Sequence, residues 1–251
     1  MRKPRKWREP LRPGERTNTA GKPVSNTILL ALPDAEYGHI RPHLEFLHLP
    51  HHRSLHEPGC KLQFAYFLNN GMISIVVAGQ NGRSVEIGVI GREGFTPIPM
   101  AIGLKRSPHR AVVQVAGEGF RVSLAVLDKL LPASPRFHAM LMRYAIIQGL
   151  QVAQTGGCNR LHNLGQRLAR WLLLTQDRTQ SGLLRITHDF LATMLGTDRP
   201  SVSLAARALQ MRGIIEYVYG GVKIVNRKKL ELAACECYGV IHQFDAEFTR
   251  H

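Results

Sequence analysis

Residues 187–209 have the sequence THDFLATMLGTDRPSVSLAARAL. Thr187 stands before a short helical pattern, so its hydroxyl is expected to cap the first turn of a helix. Gly196 interrupts that pattern and can adopt the left-handed backbone conformation that a tight turn between two helices requires. Asp198 is expected to cap a second helix, and Pro200 fits its first turn because no backbone donor is needed there. The segment therefore predicts a helix-turn-helix.

The second of these helices has two chemically different faces. Three apolar residues recur at helical spacing and are expected to face the core: Val202, Ala206 and Leu209. Three polar residues lie four apart on the opposite face: Arg199, Ser203 and Arg207. Arginine and serine can donate to guanine edges or to phosphates in a DNA major groove. We therefore predict that this face, together with Ser201, contacts DNA.

A hairpin and a strong positive charge complete this segment. Residues 212–226 form strand patterns on either side of Gly220-Gly221, and a helix-turn-helix followed by a hairpin is a winged helix. Between residues 160 and 230, twelve basic residues stand against four acidic ones, a net charge of +8. We predict phosphate contacts at Thr187, Lys223 and Arg170, although Thr187 is equally explained as a helix cap. A helical pair with a solvated face would account for the helices but not for the wing and the charge together.

The composition of the whole chain excludes several classes of protein. Of its 251 residues, 44% are hydrophobic and 20% charged, which indicates a folded core and excludes disorder for most of the chain. The formal net charge of +15 favours an anionic partner, either nucleic acid or an acidic membrane surface. The basic N-terminus lacks the apolar stretch of a secretory signal, and polar residues interrupt the longest charge-free segment, residues 62–82. We therefore expect neither secretion nor a membrane partner.

Strand patterns dominate residues 62–123. Two turns, Asn69-Asn70-Gly71 and Gln80-Asn81-Gly82, separate runs that are rich in β-branched and aromatic residues. Turns of this Asn-Gly type need positive φ angles, so the pattern predicts hairpins. Further strands are expected at residues 111–115 and 120–123. Together these segments predict an antiparallel β-roll or barrel of roughly 100 residues.

The segments on either side of this β module differ in character. Residues 1–25 contain four prolines, and their first sixteen residues hold seven basic and two acidic side chains. This composition predicts a flexible arm, either a solvated tail or a clamp on phosphates. Residues 136–154 form a helical pattern that is apolar on almost every face and is broken only at Gly156-Gly157. We expect the β module to cover one side of this helix and a second copy of the helix to cover another, whereas burial within a single chain is the alternative.

The order of β-roll, long helix and winged helix resembles the Crp/Fnr family of transcriptional regulators. The matching motifs are Ile186-Thr187, Leu191-Ala192, Leu195-Gly196, Arg199, Val202-Ser203 and Gly213-Ile214-Ile215, with residues 66–71 and 82–88 in the roll. The resemblance implies an α+β fold and a homodimer that reads an inverted repeat, with half-sites about 34–36 Å apart and RNA polymerase as a further partner. The expected parts are a basic flexible arm (1–25), a cyclic-nucleotide-binding-like β-roll sensor (26–131), a dimerisation helix (132–157), a winged-helix DNA-binding domain (158–231) and a C-terminal tail (232–251).

Two positions of the predicted recognition helix depart from the family pattern. Members often carry a Glu directly after the first Arg of that helix and an Arg five positions beyond the first. This chain has Pro200 and Leu204 at those positions. A proline cannot accept a hydrogen bond from cytosine, and a leucine prefers a thymine methyl group or the domain core. The preferred DNA site is therefore expected to differ from the best-known family consensus.

The family's cyclic-nucleotide-binding members hold their ligand with a Gly-Glu-Leu turn and a later Arg-Ser pair. The candidate effector residues in this chain are Gly91, Glu93, Arg106, Ser107 and Arg110. The interval between the turn and the arginines is longer here, and three prolines would reshape the loop. We therefore expect that the roll is not a cyclic AMP site. A different small anion and a filled pocket without ligand are the two alternatives.

Histidines and cysteines give weak metal signals. One set of candidates, at a spacing of four, has ligand types that suit zinc or haem iron: His48, His52, His56 and Cys60. Pro50 and the pair at 58–59 argue against a continuous element there, and solvent-facing histidines are the alternative. A still weaker set consists of Cys235, Cys237 and His242. The four cysteines, with Cys158, are too scattered for a disulfide framework, and none precedes Cys60 to build an N-terminal iron–sulfur cluster.

Motifs of enzyme active sites are absent from the sequence. It contains no GxxxxGK[ST], no HExxH and no GxSxG. We therefore predict a cytoplasmic, bacterial transcription regulator that binds double-stranded DNA, with no catalytic residues and no cofactor. The alternative is a module that senses a ligand, a metal or haem and acts through protein partners rather than through DNA.

Overall fold

The fold consists of a β-roll, a long helix and a winged-helix domain, as the sequence predicts. The structure is a computed structural model in which residues 11–79 and 84–249 are described. The strands of the N-terminal part are β1 (Arg16–Thr17), β2 (Pro23–Val24), β3 (Glu45–Leu49), β4 (Ser54–His56), β5 (Phe64–Leu68), β6 (Met72–Ala78), β7 (Ser84–Ile90), β8 (Phe95–Thr96), β9 (Arg110–Val115) and β10 (Gly117–Ser123).

Two four-stranded antiparallel sheets face each other to form the roll. Their strand orders are β3-β10-β5-β8 and β4-β9-β6-β7. The chain crosses repeatedly from one sheet to the other, and both sheets contribute apolar side chains to one continuous core. The interior is filled by aromatic rings, because Phe67, Phe95 and Phe120 are fully buried. An α+β architecture with an antiparallel roll is therefore confirmed.

The first predicted turn has the expected backbone but a different role. Gly71 has a φ of 83°, as the turn requires. The strands on either side of it nevertheless lie in different sheets, since β5 pairs with β10 and β8, whereas β6 pairs with β9 and β7. The predicted hairpin at residues 69–71 is therefore wrong, and the turn is a corner between the sheets. Strands β6 and β7 do pair antiparallel, but their connecting turn at 80–82 lies outside the described residues.

The described part of the predicted flexible arm is folded. Strands β1 and β2 pair with each other, and Val24 is fully buried. The guanidinium of Arg16 is buried and donates to the carbonyl oxygens of Leu29 and Leu32, each at 2.7 Å, and to Asp34 at 2.8 Å. A buried cation with three acceptors fixes its segment in place, which corrects the prediction for residues 11–25. Residues 1–10 lie outside the described part of the chain.

Nine α-helices occur in the described residues. They are α1 (Thr27–Ala31), α2 (Asp34–Ile40), α3 (Leu124–Leu130), α4 (Pro135–Leu161), α5 (Leu164–Thr179), α6 (His188–Leu195), α7 (Arg199–Met211), α8 (Arg227–Ala233) and α9 (Cys237–Thr249). In addition, a 3₁₀ helix spans Ile98–Ile102. None of the described helices is long and apolar enough to cross a membrane.

Helices α4 and α9 correct two further expectations. Helix α4 continues through Gly156-Gly157 and ends at Leu161, because the buried Thr155 and Cys158 keep this last part packed. Residues 232–251, predicted as a tail, largely form α9, which packs against α4 and buries Ile241 and Phe248. The chain after the winged helix is thus an additional layer on the long helix.

The winged-helix domain agrees closely with its prediction. Thr187 accepts a hydrogen bond from the amide of Phe190, and Asp198 accepts one from the amide of Ser201. Gly196 has a φ of 62° in the turn between α6 and α7. The wing contains β11 (Leu183–Leu184), β12 (Ile215–Val218) and β13 (Gly221–Ile224), in the order β11-β13-β12. Its turn is at residues 219–220, one residue earlier than predicted, because Gly221 already pairs with Val218.

The winged-helix domain is docked directly on the roll. Val76 and Val112 of the roll belong to the same apolar cluster as the buried residues of the winged helix. At this interface the carboxylate of Glu86 accepts hydrogen bonds from Ser74 Oγ at 2.5 Å and from the indole Nε1 of Trp171 at 2.9 Å. Burial raises the pKa of Glu86 from 4.5 to about 7. Loss of the proton from this carboxyl therefore places a negative charge at the contact between the roll and α5.

Replacing Glu86 tests this connection. The folded protein holds a proton on Glu86 between pH 4.5 and about 7 that the unfolded chain has lost. The stability due to this group is therefore complete below pH 4.5 and falls as the pH rises through 7, by about 3 kcal/mol in all. Glu86→Gln can keep a bond to each partner, because its amide oxygen accepts from Trp171 Nε1 and its amide nitrogen donates to Ser74 Oγ. It should remove this part of the decrease, measured by urea unfolding across the range.

The comparison between the two proteins isolates Glu86. Burial also raises the pKa of Asp245 to about 6, which contributes a decrease of the same sign in both proteins. The expected difference is a smaller loss of unfolding free energy in Glu86→Gln. Parallel curves for the two proteins would contradict the assigned role of this carboxyl.

Candidate nucleic-acid interface

The recognition helix α7 presents an exposed face that carries two arginines. Its apolar stripe is buried as predicted, in Val202, Ala206 and Leu209. Arg199 and Arg207 lie exposed on the opposite side, and Arg199 Nη1 is 3.5 Å from the exposed carboxylate of Asp189. Leu204 is 69% exposed, so the core is excluded as its environment. The two guanidinium groups and one leucine are therefore available to a groove.

Two serines on α7 already have partners within the protein. The hydroxyl of Ser203 is 2.8 Å from Nδ1 of His188 and donates to the carbonyl oxygen of Arg199 at 3.0 Å. Burial lowers the pKa of His188, which favours the neutral ring. Ser201 donates to the carboxylate of Asp198 at 2.9 Å, as part of the helix cap. These hydroxyls position α7, and the sequence analysis did not identify His188 as the partner of Ser203.

The wing supplies further exposed groups beside α7. Lys223 is more than half exposed, and its Nζ is 4.0 Å from Glu216 across the pair β12–β13. Tyr219 is fully exposed in the turn of the wing, next to Gly220, whose φ is 72°. Thr187 is exposed at the start of α6 although its side chain serves as the cap. Tyr219 was not among the predicted contacts, although an aromatic residue directly before a glycine turn is a recognisable sequence signal.

The prediction for Arg170 is wrong. Arg170 is only 4% exposed and lies at the contact of α5 with α4, where its Nη1 is 3.4 Å from Thr155 Oγ1. The neighbouring residues Ala169 and Trp171 are also buried, so this part of α5 is enclosed on several sides. A guanidinium in this place cannot reach a DNA phosphate.

A cleft separates the roll from the wing. It has a volume of about 420 Å³ and is lined by residues of the 114–116 corner, by His51 and by residues 181–186. Beside it, the stacked rings of His51 and His52 approach Phe190 of α6 with centroid distances of 6.2 and 6.1 Å. Arg185 lines this cleft and an adjoining one that also includes Thr187. The roll thus reaches the edge of the surface that carries the candidate DNA contacts.

The predicted effector residues each have a partner within the protein. The carboxylate of Glu93 accepts from the amide of Gly91 and from Nε of Arg178, both at 2.9 Å. Arg178 is buried on α5, and its other end is 3.0 Å from Asp245 of α9. Arg110 Nε is 3.2 Å from the carboxylate of Glu57.

The remaining two effector candidates also have hydrogen-bond partners within the protein. Arg106 donates to the carbonyl oxygen of Gly59, and buried Ser107 accepts from the amide of His109 at 3.1 Å. The structure therefore does not bring Glu93 together with the two arginines.

A tyrosine from the long helix fills the space beside the glycine turn. Tyr144 of α4 is fully buried and contacts Phe95 in a tilted arrangement, with ring centroids 5.6 Å apart. A Cβ atom on Gly94 would lie 1.9 Å from Cζ of Tyr144, so only glycine permits this contact. On β7, a Cβ on Gly88 would lie 2.4 Å from Nε2 of Gln148. Helix α4 is thus packed directly onto the roll at the turn that contains the effector candidates Gly91 and Glu93.

The predicted histidine set is not a metal site in this structure. His48 is exposed on β3 with Glu118 at 3.7 Å, His52 stacks on His51, and Cys60 is exposed. His56 is half-buried with Thr96 Oγ1 at 3.5 Å. Within the described residues, the group with metal-ligand spacing is another one: Cys158, His162, Cys235 and Cys237. It contains two members of the weaker predicted set, whereas the third, His242, lies beside Tyr238 with ring centroids 5.8 Å apart.

Two glycine substitutions test the packing of α4 on the roll. Gly94→Ala forces a methyl group into Tyr144 and should lower the free energy of unfolding by about 1–3 kcal/mol. Gly239→Ala is the matched control, because this position in α9 has open space around it and alanine favours a helix by about 1 kcal/mol. Urea unfolding should show opposite signs for the two variants. Equal stability of Gly94→Ala and the unchanged protein would contradict a filled turn.

Part of this arrangement matches a known domain family. Residues 166–233 match the family described as the Crp-like helix-turn-helix domain. This range includes α6, α7 and the wing. No curated protein matches the sequence.

Solved structures of low sequence identity share the fold. A Crp/Fnr-family transcriptional regulator from Eubacterium rectale is 16% identical, with a TM-score of 0.65 over 80% of this chain and 94% of that chain. FixK2 from Bradyrhizobium japonicum is 13% identical, with a TM-score of 0.63 over 76% and 98% of the two chains. The c-di-GMP responsive global regulator CLP of Xanthomonas campestris is 17% identical, with a TM-score of 0.62 over 77% and 100%. These matches confirm the resemblance: the chain has the fold of the Crp/Fnr transcriptional regulators, and its residues 166–233 belong to the Crp-like helix-turn-helix family.

Proposed function

We propose that the protein is a homodimeric transcription regulator that binds double-stranded DNA at an inverted repeat. The observation that carries this proposal is the exposed face of α7, on which Arg199 and Arg207 stand beside a wing that carries Lys223. Such a regulator acts where chromosomal DNA is found, in the bacterial cytoplasm. Contact with RNA polymerase belongs to the proposal as a further partnership.

The exposed groups divide into two kinds of DNA contact. Arg199 and Arg207 lie along the face of α7 that enters a major groove, where arginine pairs with guanine. Leu204 lies exposed between them and offers an apolar contact to a thymine methyl group. Lys223 and the capping end of α6 at Thr187 suit phosphates, because helix N-termini and lysines bind anions. Ser201 and Ser203 support this surface from within.

One face of α4 is exposed and suits a second copy of the same helix. The roll covers one side of α4 and α9 another, but a stripe at spacings of three and four stays open. We call it the dimer seam: Ile146, Leu150, Ala153, Gly157 and Leu161. Ile146 is 64% and Leu161 is 78% exposed. Burying such side chains contributes about 1.5–3 kcal/mol each, and the small residues between them permit close approach of two helices.

The roll controls the winged helix through direct contact in this proposal. Trp171 bonds to Glu86, the rings at 51–52 approach Phe190, and Gly196 contacts Val85. We infer that a second arrangement, without these contacts, frees the start of α6 for phosphates. We also infer that cyclic AMP is not the effector, because Arg178 and Tyr144 occupy the turn at residues 91–94.

The salt dependence of DNA binding tests the proposed surface. Affinity for a duplex of mixed sequence should fall steeply with salt, because each phosphate contact releases counterions. Lys223→Ala removes a phosphate contact and should reduce the slope of log affinity against log salt by about one, whereas Arg207→Ala removes a base contact and should change the slope less while relaxing the sequence preference. Lys129→Ala, which removes an exposed lysine of α3, is the control and should leave the slope unchanged. Salt-independent binding, or equal effects of all three changes, would favour a module that acts through protein partners.

Two acidic substitutions test the dimer seam. Ile146→Glu combined with Leu150→Glu places charges in the seam, and the variant should elute as a monomer with half the mass by light scattering. Leu232→Glu is the control, because Leu232 is 83% exposed on α8, outside the seam. It should leave the mass of a dimer unchanged. A monomeric unchanged protein, or a variant that stays dimeric, would contradict the proposed interface.

A further inference from the structure

Three cysteines and one histidine converge at the end of the long helix. Cys158 lies in the last turn of α4, and His162 is the first residue after that helix. Cys235 lies in the connection between α8 and α9, and Cys237 is the first residue of α9. The potential ligand atoms of all four residues lie within 4.8 Å of one another. All three cysteines are buried, and the side chain of His162 is only 13% exposed.

The distances within this cluster fit one tetrahedral ion. Zinc binds cysteine sulfur at about 2.3 Å and histidine nitrogen at about 2.0–2.1 Å. Tetrahedral angles then separate two sulfur ligands by about 3.8 Å, and a sulfur from a nitrogen ligand by about 3.5 Å. The observed separations are 3.4 Å between Cys158 Sγ and Cys235 Sγ, and 3.7 Å between Cys237 Sγ and His162 Nδ1. Ligands of an iron–sulfur cluster reach different iron atoms and stand farther apart than this.

The groups around the cluster are those that a bound metal would require. Nε2 of His162 is 3.1 Å from the carboxylate of Glu236, which leaves Nδ1 facing the sulfur atoms. A carboxylate on the far nitrogen fixes the tautomer and orientation of a metal-binding histidine. Nε2 of Gln154 is 3.0 Å from Cys237 Sγ and can donate to a thiolate. These two contacts come from residues that have no other evident role in the winged helix.

The charge balance points in the same direction. Arg170 is buried beside Cys158, its Nε has no hydrogen-bond partner, and no carboxylate of the described residues forms an ion pair with it. Arg167, half-buried nearby, also has an unpartnered Nε. A zinc ion with three thiolates and a neutral histidine carries a net charge of −1. Such a centre would place negative charge beside a buried guanidinium that no direct ion pair compensates, because Glu86 acts on it only at longer range.

We propose that Cys158, His162, Cys235 and Cys237 form a structural zinc site that fastens the segment after the winged helix to the end of α4. All four tetrahedral positions are filled by protein ligands, which is typical of structural rather than catalytic zinc. The site lies where α4 meets α5, so the metal fixes the joint between the dimer seam and the winged helix. This inference does not depend on DNA binding, because it concerns the chain's own ligands.

Metal analysis of the full-length protein tests the site. After anaerobic reduction, zinc loading and removal of free metal, we expect about one zinc ion per chain. Cobalt in its place should give the intense visible bands of a tetrahedral ion and thiolate-to-cobalt charge-transfer bands in the near ultraviolet. These spectra use the unchanged protein, so they do not depend on the folding of any variant. Absence of bound zinc and of these cobalt bands would overturn the proposal.

Matched variants identify the ligands. Cys235→Ser and Cys158→Ser should lose the metal, whereas Cys60→Ser and His242→Ala should keep it. Glu236→Gln should weaken zinc binding about tenfold, because it removes the negative charge beside the far nitrogen of His162. Loss of metal in the Cys60 or His242 variant, retention in both ligand variants, or iron with acid-labile sulfide would each contradict a Cys₃His zinc site. A Cys158–Cys235 disulfide in the reduced, zinc-supplied protein would contradict it as well.

Discussion

The close packing of α4 on the roll sets the positions of the other parts of the molecule. It requires the absence of a side chain at Gly94, since a Cβ there would meet the buried ring of Tyr144. With α4 fixed in this position, the turn at residues 91–94 is closed by protein groups and one stripe of the helix remains exposed. The same helix then carries the winged helix at its far end. Sensor, seam and DNA-binding surface are thus placed relative to one another by one interface.

Buried polar groups connect the roll, α5 and α9. Arg178 of α5 joins Glu93 of the roll to Asp245 of α9, and Trp171 joins α5 to Glu86. Removing one partner of such a network leaves a buried charge without compensation, which costs several kcal/mol more than an exposed pair contributes. The network therefore makes the docked arrangement specific. It also explains why the segment after residue 232 is folded, because Asp245 neutralises part of the charge on Arg178.

The winged helix was predictable from local signals, whereas the connections between layers were not. The caps at Thr187 and Asp198, the turn at Gly196 and the buried stripe of α7 each follow from a few neighbouring residues. The corner at residues 69–71 was predicted as a hairpin because the local turn signal carries no information about which strand becomes the partner. Arg170 was placed on DNA because its charge is visible in the sequence and its burial between two helices is not.

The cluster of Cys158, His162, Cys235 and Cys237 shows the same limit and also a missed signal. The signal lies in two spacings that occur among metal ligands. One is a cysteine and a histidine four residues apart, and the other is two cysteines separated by one residue. Their meeting depends on the return of the chain from α8 to the end of α4, across more than seventy residues. Without that contact, His242 was the nearer partner in sequence, and the structure replaces it with His162.

Selection of bound fragments from random double-stranded DNA tests most directly whether the protein is a dimer with two recognition helices. We expect an inverted repeat, recovered without cyclic AMP, whose half-sites lie one helical turn apart, about 34–36 Å. The half-sites should include guanines for the arginines of α7 and should differ from the best-known family consensus at the bases facing Pro200 and Leu204. Enrichment of no sequence, or of a single half-site without symmetry, would contradict a dimeric sequence-specific regulator.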